Sequence, residues 1–176
     1  MSFPYEFEFR FKLATQDADA GELVGRLGAA GCDDAVIGIG QPGRIALRFT
    51  REAESAKRAI ISALEDVRKV IPDARLIEVG PDLVGLTDVA EMLGVSRQNM
   101  RKLMLTHAAS FPVPIHEGSA AVWHLESVLR WVSARGNYAI EQRLIDVAQI
   151  AMQINLVKEV GQLELPIQNE IRALVA

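Results

Sequence analysis

Residues 5–13 run Tyr-Glu-Phe-Glu-Phe-Arg-Phe-Lys-Leu, apolar at every odd position and charged at every even one. A period of two sends alternate side chains to opposite faces, so this stretch predicts a strand with one buried and one wetted face. Helical spacing follows. "DADAGELVGRLGAAG", Asp17 to Gly31, predicts a helix capped by Asp19 with Glu22 three residues on, ended at Gly31, and apolar along Leu23, Val24, Leu27 and Ala30. "DAVIGIG" (34–40) and "RIALRFT" (44–50) read as strands joined by a turn at Gln41-Pro42-Gly43. Thr50 is placed to cap a long helix that stops before Pro72, with an apolar stripe through Ala53, Ala56, Ile60, Ala63, Leu64 and Val67. "ARLIEV" (74–79) completes the order β-α-β-β-α-β, the split-βαβ or ferredoxin-like arrangement, so the chain is expected to be α+β.

Gly80-Pro81 breaks this pattern and marks an expected boundary. Three segments result: 1–80, the ferredoxin-like unit; 81–136; and 137–176, a helical tail expected to oligomerise. The middle segment contains "TDVAEMLGVSRQNMRKLM", Thr87 to Met104, two short apolar-periodic runs hinged at Gly94-Val95-Ser96. Two helices that cross through a tight turn need a small residue at their closest approach, which Ala90 supplies. They also need a residue free to take positive φ, which Gly94 supplies. Val89, Leu93, Val95, Met100 and Leu103 then face inward, and Ser96 is suited to cap the second helix. This is helix-turn-helix order, in which the second helix enters the major groove of DNA. The positions left outward are Arg97, Gln98, Asn99, Arg101 and Lys102. Arg reads guanine and Gln or Asn reads adenine, each through paired hydrogen bonds. "SFPVPIHEGSAAVWHLESVLRWV" reads as a proline-bearing link, two short strands turning at Glu117-Gly118-Ser119, and a helix from about Leu125.

The stretch "LVGLTDVAEMLGVSRQNMRKLM…FPVPIHEGSAAVWHLESVLRWV" resembles the winged helix-turn-helix domain of the MerR-like superfamily, in its branch of phage excisionases and AlpA-type regulators. Leu86, Thr87, Ala90, Leu93, Gly94, Val95 and Ser96 match the helix-turn-helix opening of that family. Phe111, Pro112 and Pro114 match its link, and Trp123, Val128 and Trp131 its wing end and following helix. The resemblance implies DNA contacts from Ser96, Arg97, Gln98, Asn99, Arg101 and Lys102 in helix 96–106, and phosphate or minor-groove contacts near His116 and Ser119. The wing departs from the family in carrying Glu117 and no basic residue.

Charge refines this picture. The net charge is -4 and the sequence pI about 5.4, which argues against a protein that coats nucleic acid non-specifically. Yet Val95 to Phe111 holds three Lys/Arg, one His and no carboxylate. The single cysteine, Cys32, excludes an intrachain disulfide and a thiolate zinc site. His116 and His124 lack a nearby third ligand, so no metal or other cofactor is expected. Asp33-Asp34 reads as a solvated turn, and no nucleophile–base pair or phosphate loop is visible, so no enzyme is expected. An RNA-binding sheet needs exposed aromatics, and in "GRIALRFT" only Phe49 qualifies. The start of the chain lacks signal-peptide character and no apolar run is of spanning length, so a cytoplasmic location and no membrane partner are expected.

From Tyr138 to Val160 a long helix is predicted. Ile140, Leu144, Val147, Ala151 and Ile154 repeat at steps of four and three, and Ile145, Ala148, Met152 and Leu156 lie beside them. So wide an apolar face must be buried. Pairing with a twin gives a homodimer through 138–160 on an inverted-repeat site; packing inside one chain is the alternative. A last short helix is expected from Pro166. The expected protein is a sequence-specific transcriptional regulator on double-stranded DNA, whose residues 1–80 sense a small ligand or hold a protein partner. The rival readings are an antitoxin-like neutralising subunit with secondary DNA binding, and an excisionase-like architectural factor.

Overall fold

A computed structural model of the chain describes residues 1–14 and 19–175. Asp17 and Ala18, which open the first predicted helical stretch, lie outside the described residues. Among the described residues the fold is α+β, with seven α-helices and a small antiparallel sheet. Strands β1 (Phe3–Lys12), β2 (Ala35–Gly38), β3 (Arg44–Ala53) and β4 (Arg75–Gly80) lie in the order β2-β3-β1-β4. The alternation of β1 does what its period requires. Tyr5, Phe7, Phe9 and Phe11 are buried on one face, and Phe7 stacks on Phe49 of β3 with ring centroids 5.2 Å apart. Helices α1 (Ala20–Leu27) and α2 (Ala56–Val70) bury Leu23, Leu27, Ala59, Ile60, Ala63 and Val67 in the same core as these rings. Asp19 caps α1 as expected, its Oδ1 accepting from the backbone N–H of Gly21 and Glu22. Val24, assigned to the apolar side, is instead exposed.

Two boundaries differ from expectation for one reason. Thr50 does not cap α2; β3 continues to Ala53, which pairs with Phe3, and Ser55 caps the helix by accepting from the N–H of Arg58. Extending β3 places Arg51 in the inward row after Ile45, Leu47 and Phe49. A buried cation must be paired and hydrogen-bonded. Arg51 donates to Asp34 at 2.7 and 3.0 Å, to Asp66 at 2.8 Å, and to the hydroxyl of Ser62. It also donates to the carbonyl of Gly31, where a π-helical turn (Gly28–Cys32) ends α1 with Gly31 at φ 106°. The positive φ favours glycine at this position, and a Cβ there would also press on the Asp66 carboxylate at 3.0 Å. Asp34 is therefore an ion-pair partner rather than a solvated turn residue. Burial pushes the neighbouring Cys32 thiol up to about 11, which leaves it protonated and inert at neutral pH.

Helix α6 (Gln142–Val160) is the third helix on the sheet. Val147 and Ala151 are buried against the sheet core, with Ile150 and Ile154 beside them. Ile145 and Ala148 are buried in the second core, with Ile140 and Leu144 beside them. The stripe assigned to a twin helix is thus covered by the chain itself, because two cores flank α6 and take up its wide apolar surface between them. Asn155, on the same helix, is 8% exposed and seals the edge strand: it accepts from the Val79 N–H at 2.9 Å and donates to the Val79 carbonyl at 2.8 Å. The same amide donates to Asp82 at 2.7 Å. Helix α7 (Leu165–Val175) begins one residue before Pro166. No helix among the described residues is long and apolar enough to cross a membrane.

Replacing Asn155 by Leu strands the two Val79 groups and one Asp82 oxygen. It should lower the free energy of unfolding by roughly 2–4 kcal/mol, read from the urea midpoint at unchanged m-value. A second expectation concerns acid. Burial opposes ionisation of Asp66, but Lys69 and Arg51 outweigh it and hold the group below its ordinary 3.8. Its stabilising contribution is therefore complete above that value and is lost as pH falls through the lower folded value. Urea titrations at stepped pH should show stability dropping below about pH 4, with a shallower acid slope in Asp66→Asn.

Candidate nucleic-acid interface

The stretch read as a helix-turn-helix holds two short helices, α3 (Leu86–Met92) and α4 (Arg97–Thr106). Asp88 holds the start of α3 by accepting from the Gly85 N–H at 2.7 Å. Gly94 takes φ 65°, and the N–H of Val95 returns to the carbonyl of Ala90 at 2.9 Å, which closes the turn. Ser96 then caps α4, its hydroxyl accepting from the N–H of Asn99 at 3.2 Å. Val89, Ala90 and Met100 are buried between the two helices and the rest of the second core, and Leu93, Val95 and Leu103 pack against it as expected.

The floor under α4 comes from the remainder of this segment. Short strands β5 (Leu83–Val84) and β6 (Trp123–His124) pair, and α5 (Leu125–Ala134) buries Leu125, Val128, Leu129 and Val132. Phe111 lies edge-on to Trp123 and Trp131, with centroids 5.9 and 5.0 Å away. The Trp123 indole N–H donates to the carbonyl of Pro112 at 2.9 Å, which fixes the proline-bearing link. The predicted hairpin is smaller than expected. Its only ladder contact among the described residues is the bridge between His116 and Val122, because β6 spends its pairing on β5. The wing is consequently an exposed loop, with the His116 ring folded over Gly118.

Ser96, Arg97, Gln98, Asn99, Arg101 and Lys102 are all exposed on the first two turns of α4. Arg97 and Arg101 form one i, i+4 row and Gln98 and Lys102 the next. Among the described residues none of the three cations is in a salt bridge. Their donors are unclaimed on a helix held from beneath. His116 and Ser119 are exposed but stand on the wing, joined to this surface through the chain rather than by hydrogen bonds of their own.

Two further cationic features escaped sequence reasoning. Arg135 lies over Trp131 at 4.7 Å and donates to His107 Nε2 at 2.8 Å, adding a cation at the C-terminal end of α4. Lys12 is opposite both Arg44 and Arg75, a row of three like charges across adjacent strands of the open sheet face. Neither has a local signal in the sequence, since each depends on which elements become neighbours. An open cleft of about 500 Å3 separates that sheet face from α3, lined by Glu6, Glu8, Arg10, Glu78, Asp82 and Asp88 among others. Burial, with Asp82 and Glu8 nearby, raises the Glu78 carboxyl above its ordinary value. Among the described residues no three His, Cys, Asp or Glu side chains stand close enough together to hold a metal ion. No family model, no curated protein and no solved structure matches the chain.

The turn carries its own expected outcome. A side chain at Gly94 meets no atom within 4 Å, so only backbone strain opposes it. Gly94→Ala should lose about 1 kcal/mol of stability and Gly94→Asn less, since Asn tolerates the left-handed region; thermal melts of the two variants check the order.

Proposed function

We propose that the chain is a sequence-specific DNA-binding protein, a transcriptional regulator that reads the major groove with α4 in the manner of MerR-like winged helix-turn-helix proteins. The observation that carries this reading is the outward face of α4: two arginines, a lysine, a glutamine and an asparagine, exposed, free of carboxylates, on a helix capped by Ser96 and anchored by buried Met100. Rigid presentation matters because base readout by paired hydrogen bonds tolerates little misplacement. The near-bare wing moves the weight of recognition onto α4, with Arg135 available to a flanking phosphate. For residues 1–80 the antiparallel order β2-β3-β1-β4 with α1 and α2 on one face supports a ferredoxin-like ligand- or partner-binding unit.

A second reading has one observation in its favour. Leu105, Val113 and Ile115 are exposed near the end of α4 and along the link into the wing, with Val113 86% exposed. Such a group suits a protein partner, as in an antitoxin-like subunit.

Selection of bound duplexes from a random pool, followed by titration on the selected duplex, separates the two. Arg97→Ala or Arg101→Ala should cost about 1–3 kcal/mol and relax specificity at one base pair. Lys102→Ala should weaken all duplexes alike and reduce the salt slope by about one. Wild-type affinity in the Arg97/Arg101 double variant, or no enriched sequence at all, overturns the DNA reading and leaves the partner reading.

A further inference from the structure

The last part of the chain leaves apolar surface uncovered. Leu156, Val157, Val160 and Leu163, at the end of α6 and in the turn after it, are each 45–72% exposed. On α7, Ile167, Ile171 and Leu174 repeat at steps of four and three, with Leu165 and Val175 beside them, and all five are exposed. Among the described residues none beyond Asn155 belongs to either core. An isolated helix of 11 residues is marginal in water, because nucleation is unfavourable and few hydrogen bonds follow it. Nothing described in the chain covers the apolar side of α7.

We infer that a second copy of this chain covers it. In the dimer, α7 of each chain lies across the end of α6 of the other, so that one contact occurs twice about a two-fold axis. Size favours this occupant. The nine aliphatic residues leave on the order of 900 Å2 open per chain, close to the ~800 Å2 per partner of a stable protein interface. Both halves of the contact are on the same chain, one on each side of the turn at Gly161, so no foreign surface is needed to complete it. The stripe through Ile140, Leu144 and Val147 plays no part in it, being covered within the chain. This inference does not depend on DNA binding and is tested without DNA.

Sedimentation velocity of the full chain at micromolar concentration should give a dimer. Ile167→Asp combined with Ile171→Asp should give a monomer that still unfolds cooperatively in urea, at the midpoint of the wild type diluted into its monomeric range, since α7 lies outside both cores. Leu156→Asp combined with Val160→Asp should also give a monomer. Mixing the two variants should restore dimers at higher concentration, because one intact α7 then meets one intact α6. A monomeric wild type, a dimer that survives both variants, or a mixture that stays monomeric overturns the arrangement. A wild type that is monomeric in buffer but floats with vesicles of mixed neutral and anionic phospholipid identifies a membrane as the occupant and equally rejects the dimer.

Discussion

One buried carboxylate holds the three parts of this chain in register. Asp82 follows the sheet's edge strand directly and is 1% exposed. Its oxygens accept from Asn155 of α6 at 2.7 Å and from His124 Nδ1 of β6 at 2.7 Å, and its own carbonyl accepts from the N–H of Leu125 where α5 begins. A carboxylate removed from water demands such partners. Those partners come from β6, α5 and α6, so the sheet, the second core and the long helix must be placed together before the demand is met. The apolar contacts of α6 would tolerate small sliding; the hydrogen bonds to Val79 and Asp82 do not, because their geometry fails within a fraction of an ångström.

The same contrast runs through the rest of the molecule. The sheet core is a stack of Phe7, Phe9, Phe11 and Phe49 that fixes little beyond proximity, while Arg51 fixes how α1, α2 and β3 meet. In the second core Phe111, Trp123 and Trp131 fill space, and the single bond from Trp123 to Pro112 sets the path of the link. Both cores gain their volume from apolar side chains and their uniqueness from a few polar groups that must be satisfied.

Much of this was legible along the chain, and the divisions are physical. The alternation of β1, the Asp19 cap, the positive φ of Gly94 and the Ser96 cap are local consequences of local residues, and each is found as read. The five outward positions of α4, Arg97, Gln98, Asn99, Arg101 and Lys102, were legible for the same reason. What escaped depends on contacts between distant residues. The end of β3 is decided by its ladder with β1, so a good capping residue at Thr50 loses to Ser55. The wing shrinks because β6 pairs with β5, far away in sequence. The spacing of apolar residues in α6 serves a coiled coil and a shared core equally well, and only the third dimension chooses. Ion pairs such as Arg51 with Asp34 and Asp66 have no periodicity to betray them.

The placement of α6 in two cores also bears on how the molecule comes apart. Val147 and Ala151 belong to one core, Ile145 and Ala148 to the other, a few residues apart on one rigid helix. If either core melts, half of the burial that keeps α6 helical is gone, and a partly stripped helix has little to hold its other face in place. Loss of order on one side is thereby passed to the other. In calorimetric terms the sheet core and the second core belong to one cooperative unit rather than to two.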